Sequence, residues 1–278
     1  MAICIPLSAS VKLYDWQYEY DEYNKDSIGG GLAFGYPVYD YTSAFISFAH
    51  DNADIKITDE VNAPQSIVDL VEDIGSEDII TNSTSVSLRY DSRDRLFNPT
   101  EGSDHSISVQ YAGFGGDIGF SKYVAGSGWF IPLFKDLVGF LHAKGGYVRE
   151  NSDGVLPDYE RFFLGGINSL RGFEWEELAP KDEDGNDIGG DKYVQFNIEL
   201  LYPIFKDAGI VGLVFFDTGE VYGKDEDVEL GELRESAGFG FRWYSPIGPI
   251  RIEYGYILDP IEGRGEGGKW EFTMGGAF

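Results

Sequence analysis

Residues 194–202 read Val-Gln-Phe-Asn-Ile-Glu-Leu-Leu-Tyr, and their two-residue alternation decides the fold class. Successive side chains of an extended strand point to opposite faces of the sheet. One face of this stretch carries the apolar and aromatic side chains Val194, Phe196, Ile198, Leu200 and Tyr202. The other face carries the polar side chains Gln195, Asn197 and Glu199. The pattern therefore predicts a β-strand with one apolar face and one polar face.

Four other segments repeat this pattern, at residues 85–90, 106–111, 239–244 and 250–256. Soluble β-sandwiches also alternate, so alternation alone leaves both classes open. The runs hold for about nine to eleven residues and end in Tyr, Trp or Phe, which is typical of tilted membrane-spanning strands with aromatic girdles. The predicted fold class is all-β, a transmembrane antiparallel β-barrel formed by residues 1–278 as one domain.

About twelve strands are predicted from the alternation and the turn residues between the runs. They lie near residues 6–18, 27–37, 40–52, 80–90, 103–114, 118–131, 137–149, 191–204, 208–221, 235–245, 249–258 and 269–278. The sixth has the weakest alternation. The first changes parity near Tyr14, which predicts a β-bulge there.

The connections alternate between short turns and long polar loops. The short turns lie at residues 36–39, 132–136 and 245–249, and the longest loops at 53–79 and 150–190. This asymmetry is typical of the periplasmic and extracellular rims of an outer-membrane barrel. Within the 53–79 loop, the apolar spacing of Ile67-Val68-Asp69-Leu70-Val71 predicts one or two helical turns.

The composition agrees with a membrane barrel even though the mean hydropathy is only -0.22. Aromatic residues make up 15% of the chain, with 18 Tyr and 20 Phe. No stretch approaches the roughly 20 apolar residues that a membrane helix needs. Low mean hydropathy is expected of a barrel, because lipid-facing and lumen-facing side chains alternate and average out.

The net charge of -27 excludes nucleic-acid binding, which needs clustered Lys and Arg. The acidic clusters at 53–79 and 181–187 are interpreted as solvated loop surface in preference to divalent-cation sites among lipopolysaccharide phosphates. The single Cys4 cannot form an internal disulfide, and three scattered His indicate neither a metal centre nor a cofactor. Residues 1–6 lack the features of a signal peptide, so we expect a trimmed precursor or a chain that begins inside a longer gene product.

The last nine residues read Trp-Glu-Phe-Thr-Met-Gly-Gly-Ala-Phe, from Trp270 to Phe278. Aromatic and apolar side chains alternate there, and the chain stops on an aromatic residue. A soluble protein that ends in a buried strand shows such a pattern only by chance. It resembles the C-terminal signal by which outer-membrane proteins are recognised for insertion, and we assign that signal to Trp270, Phe272, Gly275 and Phe278.

The 150–190 loop contains Leu170-Arg171-Gly172-Phe173, in which a lone Arg stands between apolar neighbours. The simplest interpretation is an exposed Arg in a glycine-rich surface turn. However, Glu199 lies on the polar face of the next strand and Asp217 in the strand after that. If the loop folds into the lumen, Arg171 can reach both carboxylates, where a charge-assisted pair is screened much less than at a surface.

The Leu-Arg-Gly-Phe sequence resembles the Val/Ile-Arg-Gly-Phe motif of the outer-membrane insertase family, the BamA-type assembly factors. Other landmarks of that family are similar to residues 91–94, 98–102, 162–166, 215–219 and 245–249. The resemblance covers essentially the whole chain. It implies that the loop enters the barrel and that Arg171 pairs with Glu199 and Asp217. It also implies a sixteen-strand barrel preceded by POTRA domains, of which this chain resembles the part from the fifth strand onward.

By this resemblance, the parent protein is expected to fold and insert β-barrel proteins in the outer membrane without covalent chemistry. The expected partners are outer-membrane lipids and lipopolysaccharide, unfolded outer-membrane proteins and accessory assembly lipoproteins. The alternatives are a polypeptide-secreting channel of the two-partner type, which shares the loop motif, and a passive porin. A barrel enzyme is disfavoured, because His50, His105 and His142 lie in different predicted strands with no nucleophile motif nearby.

Overall fold

The computed structural model describes residues 6–20, 22–59, 61–151, 154–182, 185–246, 248–261 and 267–275. Twelve strands form one antiparallel sheet in which each strand pairs with its neighbours in the chain. The strands are β1 Ser8–Glu19, β2 Tyr23–Tyr39, β3 Thr42–Ile57, β4 Ile79–Asp91, β5 Gly102–Ala112, β6 Phe120–Pro132, β7 Val138–Glu150, β8 Lys192–Phe205, β9 Ile210–Tyr222, β10 Arg234–Ser245, β11 Gly248–Ile257 and β12 Gly268–Met274. The all-β fold and all twelve predicted strands, the weakly alternating sixth included, are confirmed.

The predicted facing of the side chains is also confirmed. Ile198 and Ile252 are 49% and 44% exposed on the outer face, whereas Glu199 and Glu253 are 3% and 0% exposed on the inner face. The inner face is the one that contacts residues 151–191, which we call the lumenal loop. A one-residue slip would invert every side chain of a strand, so these positions establish the register.

Loop length divides the two rims as predicted, but the turn expected at 36–39 is wrong, because those residues continue β2 and the connection follows at 40–41. One rim has the short connections β2–β3, β6–β7, β8–β9 and β10–β11, while the other has the longer connections β3–β4, β7–β8 and β9–β10. Two connections depart from the pattern: residues 92–101 form a longer turn on the short-turn rim, and 20–22 form a short one on the long-loop rim. Among the described residues, no helix has the length and apolarity required to cross a membrane.

Two other sequence-based expectations need correction. β1 has no bulge at Tyr14, because its pairing with β2 runs without interruption from Ser8 to Glu19. The apparent change of parity arises because aromatic side chains occupy the inner face, where the Tyr14 and Trp16 rings stack with centroids 4.6 Å apart. Register shifts lie instead between Pro37 and Tyr39 of β2 and between Pro203 and Phe205 of β8, in both cases at a proline, which cannot donate to the ladder.

The 53–79 loop is shorter than predicted. Ala53 and Ile55 still pair with β2, so β3 continues to Ile57, and both side chains are buried. The predicted helical turns become a single helix, α1 Gln65–Ile74, which buries Ile67 and Leu70.

The lumenal loop and α1 fill the inside of the sheet near the long-loop rim. Their apolar side chains form one buried cluster with residues of the surrounding strands. Ile67 of α1, Leu170 and Phe173 of the loop are each 0% exposed within it. Burial of such side chains contributes roughly 25 cal/mol per Å² of apolar surface, so the loop is held by the same physics as an ordinary core.

Among the described residues, β1 and β12 each pair on one side only. The remaining edge of each strand therefore carries backbone N–H and C=O groups without a strand partner among those residues.

Candidate lumenal charge cluster

Glycines allow the lumenal loop to turn sharply before Arg171. Gly165 and Gly166 have φ of +119° and +84°, a left-handed region that side chains with a Cβ rarely adopt. Ser169 closes this turn, because its Oγ donates to the Gly165 carbonyl and accepts from the Gly165 N–H, both at 2.7 Å. Two residues after Ser169, the Arg171 side chain lies against the inner face of the C-terminal strands.

Arg171 is 2% exposed and contacts both carboxylates that the sequence assigned to it. Its Nε and Nη2 donate to the two oxygens of Asp217 at 2.7 and 2.6 Å, a bidentate geometry. Its Nη1 donates to Glu199 Oε1 at 2.7 Å. Its backbone N–H also donates to Asp217, at 3.1 Å. The Phe215 ring lies against the guanidinium, 3.5 Å from Cζ to the centroid.

Three further charged residues complete the arrangement. Glu253 accepts from Arg171 Nη1 at 2.7 Å, from Arg242 Nε at 2.9 Å and from Arg251 Nε at 2.8 Å. Arg242 Nη2 also donates to Glu199 Oε1 at 2.7 Å. We call Arg171, Glu199, Asp217, Arg242, Arg251 and Glu253 the charge cluster. Three guanidinium groups face three carboxylates, so the cluster carries no net charge, which limits the cost of burying it.

Polar groups of β8 extend the cluster. Asn197 Nδ2 donates to Asp217 Oδ1 and to the Ser169 carbonyl, both at 2.8 Å. On its short-turn side, the cluster borders a cavity of about 370 Å³, which the 92–101 turn and the rings of Phe130 and Phe140 also line.

Gly172 and Gly255 bring the backbones of the loop and β11 into contact. A Cβ on Gly255 would lie 2.5 Å from Arg171 C and still closer to Gly172 N, and Gly172 itself has φ of +98°. The neighbouring Gly172 N–H donates to Glu271 of β12 at 3.1 Å. The Arg-Gly-Phe segment is thus fixed by a close backbone approach, by the buried Phe173 ring and by the charge cluster.

The C-terminal strand presents its aromatic side chains outward. Trp270 and Phe272 are 57% and 65% exposed, and Trp270 lies beside Tyr254 with ring centroids 5.3 Å apart. Gly275, with φ of +89°, follows the strand. Phe278 lies outside the described residues.

The remaining chemistry-bearing residues lie apart from one another. His105 Nδ1 lies 2.9 Å from Ser127 Oγ, but on the outer face beside the Trp129 ring. His50 pairs with Asn82 and His142 with Asn197. Among the described residues, which include part of both acidic loop segments, no group of three His, Cys, Asp or Glu could hold a metal ion.

Comparison with known proteins decides the family, because residues 6–278 match the Omp85 superfamily domain. The chain belongs to the Omp85 superfamily. It is 31% identical over 264 residues to the outer membrane protein assembly factor BamA of Nitratidesulfovibrio vulgaris, covering 93% of this chain and 33% of that protein. It is 30% identical over 198 residues to the sorting and assembly machinery component 50 homolog of Mus musculus, covering 64% of this chain and 41% of that protein.

Among solved structures, the Omp85 chain is similar to BamA from Haemophilus ducreyi lacking POTRA domains 1–3. The TM-score is 0.79 at 21% identity, over 96% of this chain and 57% of the other, which establishes a shared fold. The chain spans about a third of the length of the curated BamA relatives it matches. The predicted family and the location in an outer membrane are confirmed, whereas a single domain over residues 1–278 stays a prediction.

The sequence did not single out four members of the site: Arg242, Arg251, Glu253 and Gly255. Arg242 and Arg251 alternate with aromatic or apolar residues in β10 and β11, which indicates an inward direction but gives no information about the partner. Gly255 lies in an ordinary alternating run, and only the approach of Gly172 gives it a role.

Proposed function

We propose that the protein carrying this chain folds and inserts β-barrel proteins into the outer membrane, without enzymatic chemistry. The observation that carries the proposal is the contact between the lumenal loop and the last strand: beside the buried charge cluster, the Gly172 N–H donates to Glu271 of β12 at 3.1 Å. The names of the assembly-factor relatives support the same function.

The physical basis would be edge templating. A strand entering lipid has backbone N–H and C=O groups that find no partner in hydrocarbon, and each unsatisfied group costs several kcal/mol. An exposed strand edge offers such groups in register. Unfolded outer-membrane proteins are therefore the proposed substrates, with lipids, lipopolysaccharide and accessory lipoproteins as the other partners.

The charge cluster would hold the lumenal loop in a fixed position against β12. Leu170 and Phe173 anchor the loop in the apolar cluster, while Arg171 ties it through Glu199 and Asp217 to β8 and β9. A rigid loop keeps β12 in one position, so that its edge is presented to each incoming strand in the same geometry. For biogenesis of the chain itself, we propose Trp270, Phe272, Gly275 and Phe278 as the insertion signal.

Site-specific photo-crosslinking tests the proposal in vesicles that contain the full-length protein and an unfolded barrel substrate. A photo-reactive residue at Phe272, in the edge strand β12, should crosslink to the substrate during its folding. The matched control is Ile198, which is similarly exposed on the outer face but lies in β8, paired on both sides. Folding of the substrate should be faster than in vesicles without the protein.

Equal crosslinking at Phe272 and Ile198, or no acceleration of folding, would contradict the proposal. Transfer of the substrate across the membrane without insertion would instead support the secretion channel.

A further inference from the structure

The lumenal loop touches the sheet at a second place, remote from Arg171. Residues Asp158–Glu160 form a short 3-10 helix, and Arg161 and Phe162 follow it. We call Asp158–Phe162 the second turn. Its neighbours are β2, β6, β8 and α1, whereas the charge cluster lies on β8, β9, β10 and β11.

Lys122 of β6 makes the most direct contact with the second turn. Its Nζ donates to the backbone carbonyl of Glu160 at 2.8 Å and lies 3.7 Å from the Glu160 carboxylate. The same ammonium group lies 4.9 Å from the centroid of the Phe162 ring. Only 21% of the Lys122 side chain is exposed, so a charged donor has been partly removed from water to meet this turn.

Lys25 of β2 approaches the turn from the other side. Its Nζ lies 4.5 Å from the Tyr159 ring centroid, within the range of a cation–π interaction. It is held there by the Asp51 carboxylate of β3 at 3.6 Å and by Ser27 Oγ at 3.3 Å. Two lysines on different strands thus converge on consecutive residues of one turn.

The turn has further support from both sides. The Ser66 hydroxyl of α1 donates to the Asp158 carboxylate, and Arg161 pairs with Asp191, the last residue of the lumenal loop. The Phe162 ring packs against Tyr193 with centroids 4.7 Å apart. The turn is thereby held to α1 through Ser66 and to the start of β8 through Tyr193.

We propose that the second turn is an independent anchor of the lumenal loop and that Lys122 and Lys25 are its positioning residues. The loop is then tied at one place to β2, β6 and the start of β8, and at the other to the middle of β8, to β9 and to β11. The loop then connects these two regions of the sheet across the lumen. Only the consequence for β12 rests on the function proposed above: a loop fixed at two places would help to hold the β12 edge in position.

Hydrogen exchange of the membrane-inserted protein tests the anchor without reference to insertion activity. In Lys122→Met the side chain keeps its length but cannot donate to the Glu160 carbonyl. Loss of one charge-assisted hydrogen bond corresponds to about tenfold faster exchange of amides in 155–163. Amides in 166–173 should change by less than about threefold, because the charge cluster is intact. Lys122→Arg should restore most of the protection, since Arg also donates.

Lys144→Met is the matched control, because Lys144 is an exposed lysine on the inner face of the neighbouring strand β7. It should leave both segments unchanged. Lys25→Met should reproduce the effect of Lys122→Met in 155–163.

Unchanged exchange of 155–163 in Lys122→Met would overturn the second anchor, and so would an equal rise in both segments, because the loop would then open as one unit. Failure of both lysine variants to fold would also overturn it, since the anchor of one loop is not required for the sheet to form. None of these outcomes bears on the crosslinking at Phe272, so the two proposals fail separately.

Discussion

Several Arg–Asp pairs of the described residues are bidentate, Arg93–Asp91 among them. Two others have almost the same geometry in very different surroundings. In the charge cluster, Nε and Nη2 of Arg171 meet Asp217 at 2.7 and 2.6 Å. Near the short-turn rim, Nε and Nη2 of Arg89 meet Asp104 at 3.0 and 2.5 Å. The side chains of the first pair are 2% and 0% exposed, whereas those of the second are 46% and 24% exposed.

The difference teaches that geometry alone does not determine what an ion pair contributes. Breaking a buried pair leaves an unpaired charge away from water and costs roughly 3–5 kcal/mol. An exposed pair is solvated before and after it breaks, so it contributes about 0–1 kcal/mol. Arg171 therefore has a structural role that its exposed counterpart cannot have.

The largest expected effect comes from Arg171→Ala. It should lower the free energy of unfolding by roughly 3–5 kcal/mol, because three carboxylates lose a buried partner. Arg171→Lys should recover only part of this, since an ammonium group cannot make the bidentate contact with Asp217. Urea unfolding of the vesicle-inserted protein, followed by the gel shift between folded and unfolded forms, measures both. A loss below about 1 kcal/mol for Arg171→Ala would mean that lumenal water already screens the pair as it does at the rim.

Gly255→Val tests the close backbone approach of the lumenal loop to β11 separately from the charge cluster that also holds the loop. A Cβ there collides with the Arg171–Gly172 backbone, so the variant should lose about 1–3 kcal/mol with every charge in place. Gly126→Val is the control, since the nearest atom to a Cβ at Gly126 lies at 3.4 Å. Equal urea midpoints for the two variants would show that the loop moves away from β11 without cost.

The Asp158 carboxylate, near the long-loop rim, should make the free energy of unfolding depend on pH. Burial raises the pKa of Asp158 to about 6, although Ser66 and Arg161 act in the opposite direction. Because the folded pKa lies above the unfolded value of 3.8, the folded state binds the Asp158 proton more tightly than the unfolded state. The stabilisation from this proton is fully present below pH 4 and is lost as pH rises through 6. Asp158→Asn should therefore flatten the dependence of the urea midpoint between pH 4 and about 7. Asp69→Asn, an exposed acid on α1, should leave it as in the unmodified protein.

The smallest effect is expected at the rim. Arg89→Ala should lower the free energy of unfolding by less than about 1 kcal/mol, and the loss should shrink further in high salt. The same urea titration at two salt concentrations provides the measurement. A salt-independent loss as large as that of Arg171→Ala would show that the two environments are electrostatically alike.

Several features of the molecule could be predicted because they depend on local patterns. Alternation at Phe196, Ile198 and Glu199 predicted the strand and its facing, and the lone Arg171 among acidic residues indicated a carboxylate partner. The Tyr14 bulge was wrong for an instructive reason: aromatic side chains occur on either face of a membrane strand near its end, so their parity does not report the register.

The amino-acid sequence by itself determined the class of this protein: an antiparallel membrane sheet, its register, its two rims and the loop that carries Arg171. These follow from periodicity, turn residues and charge, which act over a few neighbouring residues. Only the tertiary structure decided that Glu253, Arg242 and Arg251 complete the charge cluster, that Gly255 receives the loop backbone, and that Lys25 and Lys122 meet at one turn. These contacts join residues far apart in the chain, and their partners are chosen by how the loop packs inside the curved sheet, a geometry that no local pattern encodes.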